Sequence, residues 1–71
     1  MKRKRKFNRF RSSQRQHERL IKKYENRGDD HGFHLLSYHL WVRDKQAEKS
    51  RILTRFEKEK IYKNARFFAY N

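Results

Sequence analysis

The sequence has no cysteine, no proline, two glycines and only eight acidic residues among 71. Without cysteine, no disulfide framework can hold the fold and thiolate zinc sites are excluded. The same absence gives no sign of secretion and fits a reducing compartment. Both glycines fall between residues 28 and 32, so the chain contains one clear turn, Gly-Asp-Asp-His-Gly. No run approaches the roughly 20 apolar residues that span a bilayer. The longest apolar-rich stretch, Phe33 to Val42, is broken by two histidines and a serine. The first residues lack the apolar core of a secretory signal.

Against the scarcity of acids stand 21 Lys and Arg, giving a formal net charge of +13. So large a charge on so short a chain repels itself unless a polyanion neutralises it, and each phosphate contact also releases counterions. The length permits one domain, and a domain of this size is marginal without a partner. Eleven aromatic residues are too many for a purely disordered tail. The expectation is therefore a basic arm joined to a helical part that packs.

Charge divides the chain. Residues 1–27 carry 12 basic and two acidic residues, 28–49 carry three and four, and 50–71 carry six and two. The N-terminal third is thus the expected anion-facing surface. Residues 1–11 hold seven positive charges and no negative one, and mutual repulsion predicts an arm that is disordered when free. Residues 12–71 then form a small helical domain with a turn at 28–32. An Arg-rich, acid-poor first third also matches an organellar targeting composition, but Lys2 to Lys6 is a plain charge block rather than an amphipathic pattern.

Residues 13–27 read as an amphipathic helix, with Ser13 and Gln16 at capping-box spacing. His17, Leu20, Ile21 and Tyr24 share one face and Arg15, Arg19, Lys22 and Lys23 the other. The apolar residues of 33–43 fit neither period cleanly: Leu36, Tyr38, Leu40 and Val42 alternate as in a strand, whereas Phe33, Leu36 and Leu40 suit a helix. Leucine richness and the lack of a pairing strand favour a buried helix. Residues 44–66 predict a second long helix, either continuous with the previous one or capped by Asp44, with Ile52, Leu53 and Phe56 on one face and Glu59–Lys63 as an intrahelical pair. The tail from Ala65 continues it or docks as an extended end.

The basic block supplies the main binding signal. Lys2, Arg3, Lys4, Arg5, Lys6, Arg9 and Arg11 can thread between phosphates, and Phe7 and Phe10 can stack on unpaired bases. Arg15, Arg19, Lys22 and Lys23 add a helical cationic face suited to phosphate. A solubilising tail or a nuclear address would have the same composition. Phe67, Phe68 and Tyr70 exceed what a helical hairpin buries and are expected to dock a neighbouring protein. Tyr38 and Trp41 are expected in the core.

His31, His34 and His39 lie near Asp29 and Asp30, but their spacing fits no standard zinc pattern, so no metal or other cofactor is expected. Asp29, Asp30 and His31 are the only candidates for general acid–base work, and a chain this small has little room for a water-excluding pocket. The aspartates better suit capping the next helix or accepting from an arginine. No enzyme activity, small-molecule substrate or membrane partner is expected.

In length, charge, lack of cysteine and basic-arm layout the chain resembles small ribosomal proteins, and the likeness lies in composition and layout alone. It implies an RNA-binding structural role in a ribonucleoprotein particle, contacting rRNA phosphates and neighbouring proteins in a cytoplasmic or organellar ribosome, mitochondrial ones included. Two other classes fit less of the pattern: a small DNA-binding regulator using the turn between helices, and a phage-type adaptor or inhibitor of an acidic protein. The fold class expected is mostly α, an extended basic arm followed by two or three hairpin-like helices, partly ordered by the partner.

Overall fold

The computed structural model describes residues 9–70. Three helices follow one another, α1 Arg9–Glu25, α2 Asp30–Lys49 and α3 Arg55–Tyr70. The mostly-α expectation holds, and there is no strand among the described residues. Helices α1 and α3 each pack on α2 and not on each other. Ser13 and Gln14 meet Gln46 while Tyr24 reaches His39, so α1 and α2 are antiparallel. Likewise Leu53 meets Gln46 and Phe68 meets Phe33, so α3 runs back along α2.

The first helix begins earlier than its sequence predicts. Arg9, Phe10 and Arg11 already belong to α1 rather than to an arm. Ser13 is no cap. It lies inside the helix and its Oγ accepts from the Gln46 side chain. The helix stops at Glu25, and Gly28 adopts φ +84°, a left-handed conformation open to glycine without penalty.

The turn is also shorter than 28–32, because α2 starts at Asp30. Asp29 caps it, as the sequence suggested an aspartate would: Oδ1 accepts from the Gly32 amide at 3.2 Å, and the carboxylate receives Arg27 Nη2 at 2.9 Å. Gly32 is needed for close approach. A Cβ there would collide with Arg27 Cβ and lie 2.7 Å from Asp29 Oδ1.

The ambiguity of 33–43 resolves as helix, and its cause is visible. His39, Arg43 and Gln46 face α1, while His34, Tyr38 and Trp41 face α3. At roughly 100° per residue these two sets lie well over a right angle apart. A helix covered on two sides spreads its apolar residues round the axis and shows no single stripe.

Residues 44–66 divide between two helices: up to Lys49 they continue the helix of 33–43, and from Arg55 they form α3. Asp44 is no cap; α2 runs straight through it, and its carboxylate pairs with Arg43 at 3.1 Å. The break comes at Ser50, a non-glycine residue held at φ 56°, whose amide closes on the Gln46 carbonyl. Residues 51–54 lie outside any helix, so Ile52, Leu53 and Phe56 share no helix face. Leu53 is buried, while Phe56 is 73% exposed. The real capping box is Thr54–Glu57: the Thr54 amide donates to Glu57 Oε1 at 2.8 Å and the Glu57 amide to Thr54 Oγ1 at 3.2 Å. Glu57 also takes both Arg51 guanidinium nitrogens at 3.0 Å, and Arg51 and the Thr54 amide together hold its carboxyl well below the usual range.

The buried apolar core is small, comprising Ile21, Val42, Leu53 and Ala65. Polar groups and rings fill the rest. Gln46 is fully buried and uses both ends of its amide: Nε2 donates to Gln14 Oε1 (2.7 Å) and Ser13 Oγ (3.3 Å), and Oε1 accepts the Leu53 amide (3.2 Å). One side chain thereby ties α1, α2 and the α2–α3 link.

Candidate nucleic-acid interface

Helix α1 splits cleanly by face. His17 and Ile21 are buried, Phe10, Leu20 and Tyr24 are half-buried, and Arg11, Arg15, Arg19, Lys22 and Lys23 are exposed on the far side. Successive positions such as Arg15, Arg19 and Lys23 rise about 6 Å apart along the helix. Arg9 is exposed and Phe10 half-buried, so only part of the Phe10 ring is open for stacking. Lys2, Arg3, Lys4, Arg5, Lys6 and Phe7 lie outside the described residues.

Ion pairing separates the cations into two groups. The ion pairs among the described residues are Arg27–Asp29, Arg43–Asp44, Lys45–Glu48, Lys49–Glu57 and Arg51–Glu57. All of these cations sit on α2 or in the two links. Within the described residues, Arg15, Arg19, Lys22 and Lys23 on α1 have no carboxylate partner, and neither do Arg55, Lys58, Lys60, Lys63 and Arg66 on α3. Lys23 instead lies 5.6 Å from the Tyr24 ring centroid. The expected Glu59–Lys63 pair does not form, although the spacing would permit it. The central helix is balanced, three Lys/Arg against three Asp/Glu, whereas α1 has six against two and α3 five against two.

The cationic side chains of α3 were not singled out by sequence reading. Arg55, Lys58, Glu59, Tyr62, Lys63 and Arg66 recur at three- and four-residue spacing. That is the signal of one helix face; the long-helix assignment with Asp44 as its start hid it.

The three docking candidates are not equivalent. Phe67 is 68% exposed and has no ring contact among the described residues. Phe68 lies 5.5 Å from Phe33 and 5.6 Å from Trp41, centroid to centroid, and Tyr70 meets His34 edge-on at 5.9 Å. Two of the three therefore fasten α3 to α2, while keeping half or more of their surface exposed. Tyr38 and Trp41, expected in the core, are half-buried.

The histidines serve the helix interfaces. His34 is buried and its Nε2–H donates to the Tyr62 carbonyl at 3.2 Å. His17 and His39 place their Nδ1 atoms 2.9 Å apart. That geometry requires one imidazole to donate and the other, neutral, to accept. Burial lowers both pKa values. Lys58 lowers His17 further, and His17 lowers His39, which falls to about 4. His31 is exposed and stands apart from this pair. Among the described residues no three His, Asp or Glu side chains converge as a metal site would need.

A line of rings crosses the three helices from Tyr24 through His39, Tyr38 and Tyr62 to His34, with neighbouring centroids 4.5 to 6.0 Å apart. No helix described is long and apolar enough to cross a membrane. Compared with protein-family models, with curated proteins and with solved structures, the chain matches none.

Proposed function

We propose that this chain is a small structural RNA-binding protein of a ribonucleoprotein particle, of the ribosomal kind, and that it works by neutralising RNA phosphates rather than by catalysis. The supporting observation is the partition of ion pairs. Carboxylates neutralise the cations of α2 and the links, and leave Arg15, Arg19, Lys22 and Lys23 of α1 and Arg55, Lys58, Lys60, Lys63 and Arg66 of α3 without a carboxylate partner among the described residues. Surface cations on an ordinary soluble helix are usually interspersed with acids. Two flanking helices with a surplus of one sign suit a partner that brings the other sign at high density.

The α1 face of Arg15, Arg19, Lys22 and Lys23 lies along the phosphates, and the Lys2–Lys6 block supplies five further cations for the same partner. Arginine contributes its planar fork and lysine a mobile point charge. Neighbouring proteins of the particle meet Phe67 and the exposed edges of Phe68 and Tyr70. Against a helix-turn-helix reader of DNA stands the position of α2. The helix after the turn is charge-balanced and covered by α1 and α3, so it has no free cationic face to lay in a groove.

The test is a salt titration of binding to structured RNA. With about six to eight phosphate contacts, affinity falls roughly 10³-fold between about 50 and 200 mM salt. A flat titration, or a preference for duplex DNA of defined sequence, overturns this reading.

A further inference from the structure

A cleft of about 450 Å³ opens between α2 and α3. Tyr38 lines it from α2, and Arg55, Lys58, Glu59, Tyr62 and Lys63 line it from α3. The two tyrosine rings meet edge to face, centroids 5.3 Å apart and planes at 79°. Tyr62 is 41% exposed and Tyr38 half-buried, so part of their aromatic surface stays open to the cleft although the two rings also pack on each other. Burial raises the Tyr38 phenol above its usual value. At neutral pH its hydroxyl is therefore protonated and available as a donor.

The charged lining is unusual in one respect. Arg55, Lys58 and Lys63 have no carboxylate partner among the described residues, although Glu59 stands beside them on the same helix. A surface meant only for phosphate would gain nothing from that carboxylate, which repels an anion. A carboxylate accepts hydrogen bonds and donates none. Its natural complement on a nucleotide is an exocyclic amino group, as acidic side chains accept from the amino group of cytosine.

We infer that this cleft holds one unpaired nucleotide of the bound RNA. The phosphate rests on Arg55, Lys58 and Lys63, the base lies against the Tyr38–Tyr62 pair, and Glu59 accepts from the exocyclic amino group. Adenine, cytosine and guanine present such a group and uracil does not. The site thus discriminates against uracil at one position. This rests on the RNA-binding reading and names a second contact on α3, separate from the α1 face.

The experiment uses the full chain, isotope-labelled for NMR, titrated with single-stranded tetranucleotides of cytidine, adenosine and uridine and with tetraglutamate. Resonances of Glu59, Tyr62 and Lys63 shift with the nucleotides, and the cytidine and adenosine strands bind about fivefold or more tighter than the uridine strand. Glu59→Ala erases that preference, and Lys63→Ala weakens all three strands by about threefold. Both side chains are exposed, and a circular dichroism spectrum like that of the parent chain shows that each variant folds. Equal affinity for the cytidine and uridine strands, shifts confined to α1, or shifts caused by tetraglutamate alone would each overturn the cleft assignment. Those outcomes leave a steep salt dependence with structured RNA intact, whereas failure of the RNA-binding reading itself appears as a flat one.

Discussion

Where α1 meets α2 the contacts are amides and imidazoles: Gln14 with Gln46 and the Arg43 carbonyl, and His17 with His39. Where α3 meets α2 they are mainly rings: Tyr62 with His34 and Tyr38, Phe68 with Phe33 and Trp41. Hydrogen bonds between buried groups are directional and leave a costly orphan when one partner goes. Ring packing is broader in geometry and accepts replacements of similar volume. The α1–α2 interface should therefore be brittle and pH-sensitive, and the α2–α3 interface tolerant. With so few buried aliphatic side chains, neither interface has a large apolar reserve behind it.

The strongest way to break this comparison is Gln46→Leu. It takes the donor from Gln14 Oε1 and Ser13 Oγ and the acceptor from the Leu53 amide. With buried unsatisfied groups costing about 1–3 kcal/mol each, partly relieved by water, a loss of about 2–4 kcal/mol is expected. In a domain of this size that lowers the melting temperature by more than about 10 °C. A drop of only a few degrees in thermal denaturation would mean that the amide hub is decorative.

A second effect concerns acid. His17 and His39 are held neutral by burial, so their folded pKa values lie below the unfolded value of 6.5, about 4 for His39. The unfolded chain binds more protons in that window, so the stability is fully present above about pH 6.5 and is lost as pH falls toward about 4. Solvent reaches part of the pair, and between about pH 7 and pH 5 the loss is on the order of 1 kcal/mol after discounting for it. Denaturation at the two pH values measures it, and imidazole titration by NMR assigns it. Stability that is level across that range rules out the paired-neutral geometry.

The smallest effect sharpens the other side. Phe68→Leu keeps an apolar contact with Phe33 and Trp41 at a side chain already 57% exposed. A cost below about 1 kcal/mol is expected, with no change in the pH dependence. A cost rivalling that of Gln46→Leu would show that the ring interface is the brittle one.

Much of the fold was legible because local rules dominate it. The α1 stripe of His17, Ile21 and Tyr24, its ending shortly before Gly28, and the capping by an aspartate of the turn all follow from nearest-neighbour chemistry. The break at residues 50–54 was not legible in the same way. Ser50 is an ordinary residue forced into a left-handed cap, and its neighbours give no glycine or proline signal. Thr54 and Glu57 did carry the capping-box spacing. The weaker match at Ser13 and Gln16 drew that reading instead, and in the fold Ser13 serves Gln46. Of the candidate site, the charge of α1 could be read directly. The exposure of the α3 cations could not, because it depends on where that helix starts and which face α2 covers.

The sequence by itself established that the protein is strongly cationic and free of disulfides and marked its first helix, since charge and helical spacing are properties of the chain before it folds. Tertiary structure decided which cations are neutralised internally and which face outward, and it brought Tyr38 and Tyr62 together across two helices. Those outcomes depend on groups distant in sequence meeting at a few ångströms, and no local pattern encodes such a meeting.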